Sequence, residues 1–289
     1  MSTTKINIGA VEVTAVSDGT LFIDRDEFFP NVPPDAWIPY RGELNAAGRV
    51  MLNMGSFVLR SDGQTILVDT GLGPDPLGLD ADCGHLLGEL ELGAVTPDEV
   101  DTVLMTHVHP DHIGWNLTYG ATAPSPTFPR ARYLVPRADW EANVHETEGL
   151  NAGPMDRTRA ERQSGSFSRQ VAPLEAAGKL DLYEGEHAVT SAITTLPTPG
   201  HTPGHMAVLI ASQGERALVA GDLVHMPLEV HETSWTTRAD MDPARAVASR
   251  RQTLDRIERD QSVLMAGHFP APGFGRLERL AGRRYWRAL

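Results

Sequence analysis

The chain has a single cysteine, Cys83, in 289 residues, so it can form no internal disulfide. Positive charge is also scarce: 25 lysines and arginines face 38 aspartates and glutamates, a net charge of −13. That sign argues against general nucleic-acid binding, which needs a cationic field along the phosphate backbone. Long apolar runs are missing too. No stretch approaches the roughly 20 apolar residues of a membrane span, and no basic segment followed by an apolar run marks a secretory signal at the N-terminus. The expectation is a cytoplasmic protein with neither nucleic-acid nor membrane partners. Gly-x-Ser-x-Gly does not occur, and Cys83 lies far along the chain from the clusters described next, so a serine or cysteine nucleophile ranks low.

What is present is concentrated in Thr106-His107-Val108-His109-Pro110-Asp111-His112, three imidazoles and a carboxylate within six consecutive residues. The preceding Val103-Leu104-Met105 reads as the end of a buried strand, and strand-end loops are where α/β folds keep their chemistry. Side chains alternate in an extended segment, so His107 and His109 point the same way, while Asp111 and His112 fall beyond Pro110 and face a different point. One segment can therefore serve two neighbouring ions. Imidazole and carboxylate suit zinc, iron, manganese or nickel.

Three later segments repeat the pattern of a ligand type on a tight turn after an apolar run: Pro199-Gly200-His201, Ala220-Gly221-Asp222 and Ala266-Gly267-His268. A glycine directly before each ligand fits backbone that bends sharply or approaches another segment closely. A lone Gly-His is usually an ordinary turn; four such segments together make a metal site. They must converge from His107 to His268, which predicts one domain over 1–289. At 41% hydrophobic, the chain can bury a substantial core.

These motifs, with Ile66-Leu67-Val68-Asp69-Thr70-Gly71 and the N-terminal Ala15-Val16-Ser17-Asp18-Gly19-Thr20, resemble the metallo-β-lactamase superfamily, in particular its lactonase and methyl-parathion-hydrolase-like branch. The resemblance covers most of the chain. It implies a four-layer αββα sandwich, where periodicity alone gives only α/β. It also implies two divalent ions, zinc by family default, with manganese, iron, cobalt or nickel also accepted by such ligands. His107, His109 and His201 would hold one ion, Asp111, His112 and His268 the other, and Asp222 would bridge them. Catalysis would then use water activated between the ions on a small ester-like molecule, a lactone first and a phosphotriester or aryl ester second. A β-lactamase, a glyoxalase II-like thioesterase and an iron-dependent oxidoreductase rank lower. The resemblance further suggests a homodimer.

Around this set, Asp69 either orients a ligating imidazole or caps the turn before Gly71. His205 reads as a hydrogen-bonding support for its loop. His225 stands where related lactonases place a tyrosine, three residues after the bridging aspartate, and is a candidate to polarise substrate or protonate a leaving group. Trp115 is a candidate substrate contact. His231 carries less weight, and His85, His145 and His187 read as surface residues. Residues 21–50, with Phe28, Phe29, Trp37 and Tyr40 among four prolines, read as a lid or pocket wall. Residues 120–129 read as a loop near the metals, and 143–169 as a helical excursion or a flexible insertion between halves divided near residue 180. Hairpins are expected at Gly9 and at Ser61-Asp62-Gly63-Gln64, and helices from Thr96-Pro97 and from Asp242-Pro243 to about Arg259.

Overall fold

The structure, a computed structural model, describes residues 4–120, 123–149 and 157–289. In chain order the first part supplies β1 (Thr4–Ile8), β2 (Val11–Asp24), β3 (Arg49–Ser61), β4 (Gln64–Val68), β5 (Ala81–Cys83), β6 (Thr102–Leu104), β7 (Leu117–Tyr119), β8 (Pro124–Pro126), β9 (Arg132–Pro136) and β10 (Leu180–Tyr183). The second supplies β11 (Ile193–Pro197), β12 (Met206–Ser212), β13 (Glu215–Val219), β14 (Val263–Met265), β15 (Phe274–Leu280) and β16 (Arg283–Ala288). One mixed sheet runs β1-β2-β3-β4-β6-β9-β10 with β5 on β2, the other runs β11 to β16 in order, and β7 and β8 form a separate ribbon.

Strand alternation builds the layers. Phe57, Leu59, Ile66, Val68 and Leu104 of the first sheet meet Val208, Ile210, Val219, Val263 and Met265 of the second in one buried cluster. Their neighbours in sequence point the other way, as a period of two requires. Val58, Leu67 and Val103 pack under Leu86, Leu90, Phe167 and Leu174 on the helical side of the first sheet. Leu218 and Leu264 pack under Leu254 and Ile257 of helix Pro243–Arg259 on the second. The result is the expected αββα order of layers.

The hairpins form at Gly9 and at Asp62-Gly63, where φ of 51° and 75° gives the left-handed pair that a two-residue turn needs. The helix opened by Asp242 runs to Arg259, with Asp242 accepting the Arg245 N–H. The helix expected from Thr96 is a single 3₁₀ turn, Pro97–Glu99. Val100 is already extended and fully buried, because the chain must drop into β6 two residues later.

Within 21–50 the structure is more regular than the sequence suggests. Leu21 to Asp24 complete β2, a helical turn spans Arg25–Phe28, and a 3₁₀ segment spans Pro34–Glu43. Phe28, Phe29 and Trp37 are buried in a cluster with Leu21, Ile23 and Leu52. Helices Arg137–Gly149 and Arg157–Gln170 occupy the expected excursion, part of which lies outside the described residues. The described part of 120–129 lies on the β7–β8 ribbon and the turn that follows it. Among the described residues no helix is long and apolar enough to cross a membrane.

Candidate metal centre

Every proposed ligand follows the C-terminal end of a strand: His107 to His112 after β6, His201 after β11, Asp222 after β13 and His268 after β14. The two sheets are stitched where these loops meet. Met206 N–H donates to Thr106 O at 2.9 Å, and Asn53 Nδ2 donates to Gly267 O at 2.7 Å. Two glycines are required by close approach. A Cβ on Gly200, at φ 136°, would lie 2.1 Å from Ala246 N, and one on Gly221, at φ 53°, would lie 2.7 Å from His205 Nε2.

The side chains converge as two groups, His107, His109, His201 and Asp222 in one and Asp111, His112 and His268 in the other. Asp222 divides its oxygens between them. Oδ2 lies 3.0 Å from His201 Nε2 and 3.6 Å from His107 Nε2, while Oδ1 lies 3.0 Å from His112 Nε2 and 3.1 Å from His268 Nε2. Asp111 Oδ2 is 3.6 Å from His268 Nε2. His109 Nδ1 sits 3.0 Å from His107 Nε2 and 2.9 Å from His201 Nε2.

The outward nitrogens decide what this cluster is for. His201 Nδ1 faces the Asp240 carboxylate at 3.0 Å, His112 Nδ1 faces Asp69 Oδ2 at 2.9 Å, and His268 Nδ1 faces the Asn53 carbonyl at 2.8 Å. These partners only accept, so each imidazole donates outward. His107 Nδ1 lies 3.0 Å from Thr106 Oγ1, whose own proton goes to Asp69 Oδ2 at 2.8 Å, so it donates outward as well. The four Nε2 atoms are thereby turned inward onto a buried carboxylate, where each takes up either a proton or a metal ion. Bare lone pairs repel one another, and His112 Nε2 and His268 Nε2 are 3.3 Å apart. Cations between them resolve the conflict, so the donor set fits two divalent ions.

Burial alone would lower His112 and His201, but the Asp222 carboxylate holds His112 well above an ordinary histidine and raises His201, so in the metal-free protein protons stand where cations would. Burial alone would raise the Asp222 carboxyl, but the imidazoles of His112, His268, His107 and His201 hold it well below the usual carboxylate range. Burial and the neighbouring imidazoles push His107 well below an ordinary histidine. His205 does not join either group. Burial pushes it down to about 3, so it is neutral, with Nδ1 toward Thr198 O and Nε2 accepting the Asp222 N–H at 2.8 Å. A His205→Phe substitution strands that buried amide. The metal-free protein is expected to lose ~1–3 kcal/mol, read from the urea midpoint; an unchanged midpoint would contradict the role.

Asp69 takes the orienting role rather than a turn cap, accepting the Thr106 N–H and hydroxyl and the His112 imidazole. Asp69→Asn is expected to weaken metal affinity by about 10–100-fold in a competition titration with a chromogenic chelator. Wild-type affinity in that titration would argue against it. Two supporting carboxylates have no motif to mark them. Asp240 holds His201. Asp139, fully buried, accepts from Val108 N–H, Thr202 Oγ1 and Gly204 N–H and so ties the first ligand loop to the His201 loop.

Beside the ligands lies a cavity walled by Leu21, Ile23, Phe28, Leu52 and Leu79, with His225, Arg162 and Arg238 also lining it. His225 Nε2 is 3.4 Å from Asp222 Oδ2. Trp115 lies elsewhere. Its indole N–H donates to the buried Asp18 carboxylate at 2.8 Å, which turns the ring into an adjacent cleft with Tyr119 and Arg169. Pro110 is the residue lining both. His231 bonds Tyr40, away from the cavity wall, and His85, His145 and His187 are exposed.

A sequence model of the metallo-beta-lactamase superfamily matches residues 56–268, which includes every ligand position above. The chain belongs to the metallo-beta-lactamase superfamily. Among superfamily members, N-acyl homoserine lactonase AiiA of Bacillus thuringiensis subsp. kurstaki is 22% identical over 172 residues. That match covers 60% of this chain and 57% of the lactonase. Two solved structures share the fold over the whole chain and 97% of their own length. They are AidC, a dizinc quorum-quenching lactonase bound to N-hexanoyl-L-homoserine, with a TM-score of 0.84 at 21% identity, and the hydrolase AbOPH, with 0.88 at 23%.

Proposed function

We propose that this superfamily member is a dinuclear metal-dependent hydrolase of a small lactone, with two zinc ions as its cofactor. One observation carries the reading: the two oxygens of buried Asp222 face two separate ligand groups whose imidazoles are turned inward by acceptors behind them. The lactonase relatives and the dizinc lactonase of the same fold support it. The shared core between the sheets supports reading residues 1–289 as one domain.

His107, His109 and His201 would hold one ion and Asp111, His112 and His268 the other, with Asp222 between them. When bound, such a pair lowers the pKa of water toward about 7 and polarises a carbonyl or phosphoryl oxygen. The chain's own residues do the rest. The apolar wall of Leu21, Ile23, Phe28 and Leu52 takes the acyl part and excludes water. His225 presents its ring to the cavity, in reach of the substrate oxygen or the departing alkoxide.

The test is metal content on protein purified without chelators, with the same sample assayed on an acyl-homoserine lactone, an aryl ester and a phosphotriester. Two metals per chain and lactone preference are expected. Preference for the phosphotriester would replace lactone as the substrate class, and a single iron without hydrolysis would overturn the hydrolase reading.

A further inference from the structure

Directly behind His225 lies a charged pair with no exposure at all, Glu229 and Arg250. Arg250 Nη2 is 3.0 Å from Glu229 Oε1. The rest of the guanidinium is spent on one loop: Nε donates to Leu223 O at 2.7 Å, and Nη1 donates to Thr233 O at 3.2 Å and to Trp235 O. Glu229 Oε2 accepts the backbone N–H groups of His225 and Met226, at 2.5 and 2.9 Å. The same oxygen is 3.5 Å from His225 Nδ1.

Burying an ion pair brings desolvation costs that apolar packing avoids, so such a pair is weak evidence of a purely stabilising role. Its position suggests another. The His225 ring has a carboxylate on its Nδ1 side and the cavity and Asp222 on its Nε2 side. Phe28 meets the ring edge-on at 5.4 Å between centroids, and His268 stacks on it at 5.7 Å and 13°. The packing sets the plane of the ring but does not choose between its two flipped forms. The observed form turns Nδ1 toward Glu229 Oε2 at 3.5 Å, without closing a hydrogen bond, and Nε2 toward Asp222 Oδ2 at 3.4 Å, whereas the flipped form would give neither carboxylate a ring nitrogen.

We propose that Glu229, held by Arg250, is a positioning residue that keeps a proton on His225 Nδ1 and so presents Nε2 to the substrate. This rests on the reading of His225 as a participant in turnover. Glu229 also caps the 3₁₀ turn Pro227–Val230 by accepting the Met226 N–H, and Arg250 belongs to no recognisable motif. The carboxylate stands four residues after the histidine it serves, and its arginine comes from the helix Pro243–Arg259.

The test is a double-mutant cycle on zinc-loaded protein with the best substrate from the assays above. Glu229→Gln is expected to lower kcat by about tenfold or more, with KM changed less than about threefold and two metals retained. In a His225→Ala background the same substitution is expected to have no further effect, because the group it positions is gone. An equal loss in both backgrounds, or full activity of either single variant, overturns the proposal. Should Glu229→Gln fail to fold, the ¹⁵N–¹H two-bond spectrum of His225 in the wild-type zinc protein decides instead: a protonated Nδ1 supports the proposal and an unprotonated Nδ1 overturns it. That spectrum needs no substrate, so its outcome is independent of the lactone assignment.

Discussion

His109→Ala is expected to abolish hydrolysis in a protein that still folds. His109 Nδ1 reaches within 3.0 Å of His107 Nε2 and 2.9 Å of His201 Nε2, so its loss leaves the first ligand group with three donors of four. The residue sits in extended backbone just before the short helix Pro110–Ile113, outside the clusters that hold the sheets together. The apolar packing is therefore untouched, and the stability lost is what the departing ion contributed. A fall in kcat/KM of roughly 10³-fold or more is expected, because polarisation and water activation depart together. Circular dichroism should match the wild type while metal content falls from two per chain toward one. Ordinary turnover by a folded variant carrying two metals would overturn the assignment.

Removing the metals from the wild type should have an equally large effect on activity and a second effect on stability. Exhaustive chelation is expected to bring hydrolysis to background and zinc to restore it. The melting temperature should fall with the chelator and climb with the logarithm of added zinc. The physical reason is the inward set of four imidazole nitrogens around Asp222, which a metal ion must win from protons and then holds in the folded chain. An ion that binds only the folded chain at a thousand times its dissociation constant adds about 4 kcal/mol. Melting curves recorded at several zinc concentrations measure this directly. Superimposable curves would mean that the clustered imidazoles are not a metal site.

The residues of the two donor groups were legible in the sequence because each carries its own local mark, a glycine turn after an apolar run or the dense His107–His112 segment. The layer order was legible through strand alternation and the resemblance together. What stayed hidden is what arrives from elsewhere in the chain. Asp240 meets His201 across 39 residues, and the carbonyl of Asn53 meets His268 across 215. No short pattern encodes such meetings, and a backbone carbonyl leaves no trace in residue identity. Asp69 was ambiguous for a related reason, since a carboxylate before Thr-Gly suits a turn as well as an imidazole 43 residues away. Trp115 was placed by its nearness in sequence to His112, whereas a hydrogen bond to Asp18, 97 residues earlier, sets its direction.

The spread of the ligands along the chain also orders events during synthesis. The segment from His107 to His112 leaves the ribosome long before His201, Asp222 and His268 exist. The first donor group lacks members until Asp222 has emerged, and the second until His268 has. Loading of both sites would thus be a late step, because the segment His107 to His112 is an incomplete donor set until the later loops join it.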